Sequence, residues 1–161
     1  MPAFLVASLP QALARNICSA WLPKNLVSLY RHNAVGKYLY ERGEGRFKHC
    51  WNKPEAGFSP PESAPVGKCS SKITDMIAQT LLDEGVEYRL EEDDPHPSKI
   101  YNVFEGVPYE AAPTRPGISY HGYPWRGPMP RWIYRILKKR ADDQGHGSTF
   151  KAWLKKYGTR Y

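Results

Sequence analysis

The stretch PTRPGISYHGYPWRGPMP, Pro113 to Pro130, constrains this chain more than any other. Five prolines and three glycines in 18 residues deny it a helix, because proline removes a backbone donor and glycine adds chain entropy. It lacks strand periodicity as well, so it reads as a long loop. Loops of this length are uncommon inside a domain unless functional or disordered, and Tyr120, Tyr123 and Trp125 argue against disorder. Loop 113–130 is therefore expected to be a rigid surface element, its prolines fixing shape and its glycines admitting a ligand to the backbone. The competing reading makes it a strap over the sheet, with its rings buried.

Around this segment the pattern predicts regular elements. Residues 37–51 alternate aromatic and charged side chains about an Arg42–Gly45 tip, which reads as a β-hairpin. Prolines 54, 60, 61 and 65 make 52–68 a connector without regular structure. Ser70 or Ser71 is expected to cap a helix running to Glu84, with Ile73, Met76, Ile77, Leu81 and Leu82 on its apolar side and Gly85 as a left-handed stop. A short strand at 86–90 then leads into an exposed acidic loop, 91–97, whose spacing does not fit a calcium-binding helix–loop–helix. Residues 99–112 predict a second hairpin turning at Glu105–Gly106, with Pro108 assigning its second strand to a sheet edge.

Beyond Pro130, apolar residues at helical spacing predict a helical pair. Trp132, Ile133, Ile136, Leu137 and Ala141 form the inner side of the first helix, and Phe150, Trp153, Leu154 and Tyr157 that of the second. Strands and helices do not alternate as a parallel βαβ winding requires. The predicted class is α+β: a small, mainly antiparallel sheet from two hairpins, covered by one central helix and the C-terminal helical pair. Residues 37–161 would form this single domain, and 1–36 an N-terminal arm in which Leu9, Leu13, Ile17 and Trp21 make an amphipathic stripe.

No run of about 18 apolar residues occurs, so no membrane span is expected. No basic residue precedes the first apolar stretch, which places the chain in the cytoplasm rather than on a secretory route. The cysteines, Cys18, Cys50 and Cys69, show no CxxC spacing, which excludes a zinc ribbon; Cys50 and Cys69 are either reduced or bridged across the connector. No cofactor and no metal site are expected.

Charge is unevenly placed. Residues 1–68 carry 9 Lys and Arg against 4 Asp and Glu, residues 69–113 carry 3 against 10, and residues 114–161 carry 11 against 2. A basic last third suits an anionic partner, and aromatic rings interleaved with arginine suit RNA or another single-stranded nucleic acid. The expected contacts are Arg115, Tyr120, Tyr123, Trp125 and Arg126 of the loop with Arg131, Arg135, Lys138 and Lys139 of the following helix. The alternative is a noncatalytic module whose aromatic loop binds an acidic protein. No HExxH, GxSxG, P-loop or dinucleotide fingerprint is present. A third reading needs no linear motif: a small metal-independent nuclease with His121 as general acid or base, and Arg115 and Arg126 stabilising phosphate charge.

Overall fold

The computed structural model describes residues 36–42, 49–59 and 65–158, all within the unit Gly36–Tyr161. The predicted arm, apart from Gly36, and the tip of the first predicted hairpin lie outside the described residues. In chain order the elements are β1 (Leu39–Tyr40), β2 (Gly57–Ser59), β3 (Val66–Lys68), α1 (Asp75–Asp83), β4 (Val86–Tyr88), β5 (Lys99–Phe104), β6 (Val107–Arg115), β7 (Ser119–Pro124), α2 (Arg131–Asp143) and α3 (Gly147–Tyr157). The fold is α+β. Five strands form one mixed sheet in the order β1-β7-β6-β5-β4, in which only β1 and β7 run parallel, and β2 pairs with β3 in a separate antiparallel hairpin.

The β5–β6 hairpin turns where the sequence predicts. Glu105 and Gly106 take φ of 47° and 78°, the two left-handed residues of a tight turn whose twist matches the flanking strands. A Cβ on Gly106 would lie 2.7 Å from the His146 carbonyl oxygen, so the turn also requires glycine for the approach of α3. This turn pairs Phe104 with Val107, Tyr101 with Glu110 and Ile100 with Ala111.

Side chains alternate across a strand, and the register therefore sorts the sheet into two faces. Ile100, Tyr120 and the neighbouring Tyr38 meet Leu82 of α1 on one face. Tyr101, Val103 and Trp125 meet Ile133, Leu137, Ala141 and Phe150 of the helical pair on the other. The central helix and the C-terminal pair thus cover opposite faces. Asn102 and Arg140 tie the layers together at one end: the Asn102 amide donates to the Leu81 carbonyl, and Arg140 donates to Asn102 Oδ1 and the Glu84 carbonyl.

Several local expectations are corrected. Segment 113–130 is not one loop: it holds the end of β6, a turn at 116–118 and all of β7. The three prolines sit where the ladder needs no donor. Pro113 faces the side on which β5 has ended, Pro124 faces away from β6, and Pro108 faces the end of β7. Pro108 accordingly lies in a central strand rather than at an edge. Its carbonyl accepts from Trp125 N at 2.9 Å, and the Trp125 carbonyl, lacking an N–H opposite, accepts from Trp153 Nε1 at 2.9 Å.

The described part of 37–51 does not pair with itself either. β1 lies along β7, while His49 and Cys50 lie along Cys69. The connector 52–68 contains β2 and β3, because its prolines flank rather than interrupt them. Cys50 and Cys69 are neighbours across an isolated bridge and are free thiols. Helix α1 starts later than predicted, on the Thr74 cap, which accepts from Ile77 N; Ser70 Oγ instead donates to the Pro54 carbonyl and accepts from Lys72 N ahead of the helix. Gly85 is no left-handed stop; a Cβ there would meet Ile100 Cγ2 at 2.2 Å, so glycine is needed for close packing.

At the outer side of β1, Gln79 of α1 accepts from Tyr40 N at 2.8 Å and donates to the Tyr38 carbonyl at 2.9 Å. The core itself is aromatic, and Trp125, 2% exposed, lies at its centre. Trp125→Ala should cost about 3–5 kcal/mol of unfolding free energy, read by denaturant titration. A loss below about 1 kcal/mol would show that the ring is not enclosed.

Candidate functional site

The helical pair covers one end of its sheet face and reaches Tyr101. The register lines up Tyr101, Glu110 and Tyr123 in this bordering row and Lys99, Ala112 and His121 in the next one outward. Glu110 is the hub of this area. Its Oε1 accepts from Tyr123 Oη at 2.7 Å and pairs with the Lys99 ammonium, which lies 3.4 Å from the same phenol oxygen. Burial pushes Lys99 towards neutrality, but the hydrogen bond and charge of Glu110 outweigh it and hold the ammonium above its ordinary range. Burial first, and then the Glu110 charge, raise the Tyr123 phenol. Tyr101 is raised for the same two reasons, so both phenols remain neutral donors at physiological pH.

Beside this network three rings cluster. The His49 ring lies 6.1 Å from His121 and 5.4 Å from Tyr123, centroid to centroid, and His121 lies 5.9 Å from Tyr123. Each imidazole is oriented through Nδ1: that of His49 donates to the Gly67 carbonyl at 2.8 Å, and that of His121 is 3.0 Å from Thr114 Oγ1. The cluster borders a cleft of about 300 Å³ lined by His49, Phe58, Glu110, Tyr123 and Arg126, among others. Among the described residues no three His, Cys, Asp or Glu side chains lie close enough together to hold a metal ion.

The expected site residues of segment 113–130 divide into three groups. His121, Tyr123 and Arg126 lie in or beside this area. Tyr120 and Trp125 do not present their rings: Tyr120 is fully buried with its hydroxyl on the Pro97 carbonyl, and Trp125 belongs to the core, as the strap reading had it. Arg115 does not converge with Arg126 on His121. It pairs with Glu41 at the turn end of β7, and Arg126 follows the other end, about 20 Å away at some 3.3 Å per residue.

Helix α2 carries the second basic area. Lys138 and Lys139 are matched one turn on by Asp142 and Asp143, at 2.6 and 2.7 Å. Arg131 and Arg135 are exposed and make no hydrogen bond or ion pair among the described residues. To one side of this i, i+4 pair on the helix stands Trp132, 47% exposed, with Ile136 one turn on. The sequence reading placed both apolar side chains inward; the buried stripe is narrower, Ile133, Leu137 and Ala141 alone. The start of α2 has neither a side-chain cap nor an acidic residue in its first turn, so its own sequence does not offset its positive end.

Sequence reasoning missed His49, Lys99, Thr114 and Trp132. Strand alternation could have found Lys99 on the face of Tyr101, two residues on, but His49 reaches the site through pairings distant in sequence, the Cys50–Cys69 bridge and its ring bond to the Gly67 carbonyl. Comparison of the chain with protein-family models, with curated proteins and with solved structures finds no match in any of the three.

Glu110→Gln removes the carboxylate on which Lys99 and Tyr123 converge. The expected cost is about 2 kcal/mol, below the roughly 3–5 kcal/mol of a fully buried broken pair because the Lys99 side chain keeps a third of its surface in water. The Lys99 pKa should fall at the same time, as followed by NMR of the ammonium. An unchanged Lys99 titration would remove Glu110 from the centre of the network.

Proposed function

We propose that this domain binds RNA or another single-stranded nucleic acid along the outer face of α2 and the adjoining Arg126. The observation that carries this reading is Trp132, held out to solvent beside the neighbouring Arg131 and Arg135 on the same helix. An exposed indole offers every base a stacking surface irrespective of sequence, and a flanking guanidinium offers a phosphate two parallel donors. The uncapped, acid-free start of α2 adds to the same field.

The charge distribution supports it further. Lys138 and Lys139, expected contacts from the sequence, are locally neutralised by their aspartates, which narrows the surface to the first turns of α2. Arg126 stacks over Phe58 at 5.5 Å, fixing a cation at the mouth of the cleft. No helix among the described residues is long and apolar enough to cross a membrane.

Binding of a fluorescent single-stranded RNA should weaken with salt, with a log–log slope of about −0.7 per phosphate contact. Arg131→Ala and Arg135→Ala should each reduce that slope by about one contact. Trp132→Ala should cost about 1–3 kcal/mol of binding while leaving the melt unchanged, because the ring is half exposed. Binding that ignores salt, or survives all three substitutions, would transfer the surface to the protein-partner reading, in which Trp132 and Ile136 serve as apolar anchors.

A further inference from the structure

We propose that the part of the sheet face holding His49, His121 and Tyr123, beside the Arg126 cleft, cleaves RNA by moving the scissile phosphoryl group onto the adjacent 2′-hydroxyl. The inference rests on the nucleic-acid reading of α2 and adds a reaction to it. Such a transfer requires a proton acceptor for the 2′-hydroxyl, a proton donor for the departing 5′-oxygen and a cation for the charge that grows on phosphorus. The ribose itself supplies the nucleophile.

The two imidazoles fit the two proton roles. A carbonyl oxygen accepts only, so the His49 Nδ1 that meets Gly67 carries a hydrogen, and in the neutral ring the lone pair lies on Nε2. That makes His49 the general base. His121 faces a hydroxyl, which accepts as readily as it donates, so the Thr114 contact is compatible with the doubly protonated ring that a general acid must start from. The two rings are stacked, 6.1 Å between centroids with their planes 24° apart, which brings them close enough for one phosphoryl group at the edge of the pair to meet a nitrogen of each.

The step balances without a further reactant. His49 Nε2 takes the 2′-hydroxyl proton as the O2′–P bond forms; the P–O5′ bond breaks, and its electron pair takes the proton that His121 releases. The products are a 2′,3′-cyclic phosphate and a 5′-hydroxyl. Arg126, lining the same cleft as His49 and Tyr123, is the cation for the phosphorane, and Tyr123 is the neutral hydroxyl beside both rings. Glu110 and Lys99 are positioning residues, since they hold the phenol.

The experiment incubates the full chain with a mixed-sequence RNA oligonucleotide in excess chelator and reads binding by anisotropy and product ends by mass. Expected are ends bearing 2′,3′-cyclic phosphate, and a rate loss of about 10²–10⁴ in His49→Gln and in His121→Gln with affinity and melt unchanged. The same RNA methylated at every 2′-oxygen should bind and stay intact, a control that does not depend on either variant folding. RNA bound but never cut overturns the cleavage proposal and leaves the binding reading in place; RNA neither bound nor cut overturns both. Cleavage at full rate in both variants, 5′-phosphate ends, or cutting of the methylated RNA each overturn it as well.

Discussion

The left-handed pair Glu105–Gly106 sets the register on which everything else in the sheet depends. A strand has a side-chain period of two, so a slip of one residue in this hairpin would exchange its faces. Ile100 would turn away from α1, and Tyr101 and Val103 away from the helical pair. Glu110 would leave Tyr123 for the underside of α1. Burial enforces the register from both faces, and α3 enforces it from the turn itself, where the backbone of His146 leaves no room for a side chain at Gly106.

The polar area exists because the helical pair stops short. Helices α2 and α3 cover the Val103 and Trp125 end of their face, where apolar rings fill the space, and the next rows along the strands carry Glu110, Lys99, Tyr123 and His121. A carboxylate as enclosed as that of Glu110 persists only with partners, and it has an ammonium and a phenol. The small β2–β3 hairpin completes the surroundings from the side, its Phe58 packing on Trp153 and Tyr157 and its Gly67 carbonyl holding His49. Two histidines far apart in the chain are thus each held through Nδ1, by the Gly67 carbonyl and the Thr114 hydroxyl, and stack on one another.

The legible parts of the fold were those decided by near neighbours. The Glu-Gly turn with alternating flanks predicts β5 and β6, and apolar residues three and four apart predict α2 and α3. Strand β7 was hidden because a proline's place in a strand depends on whether another strand lies on its donor side, a fact about residues far away in sequence. Trp132 and Ile136 were misjudged for a related reason: the width of a buried stripe is set by what covers the helix, and only Ile133, Leu137 and Ala141 are covered. Of the candidate site, His121, Tyr123 and Arg126 were legible as unusual residues in an unusual segment. Their company was not, since Lys99 reads as an ordinary strand end and His49 as part of a hairpin that the described strands do not form.

The Gln79 amide on β1 has a meaning for how this molecule behaves among its own copies. At the rim of the sheet the Tyr40 N–H of β1 and the carbonyl of Tyr38, just before it, turn outward, and such groups are a template for an incoming chain. Gln79 offers them one acceptor and one donor from a single planar amide, the same pairing that a peptide group would make. At that rim the outward N–H and carbonyl are therefore taken by a side chain that imitates a sixth strand and cannot itself be extended.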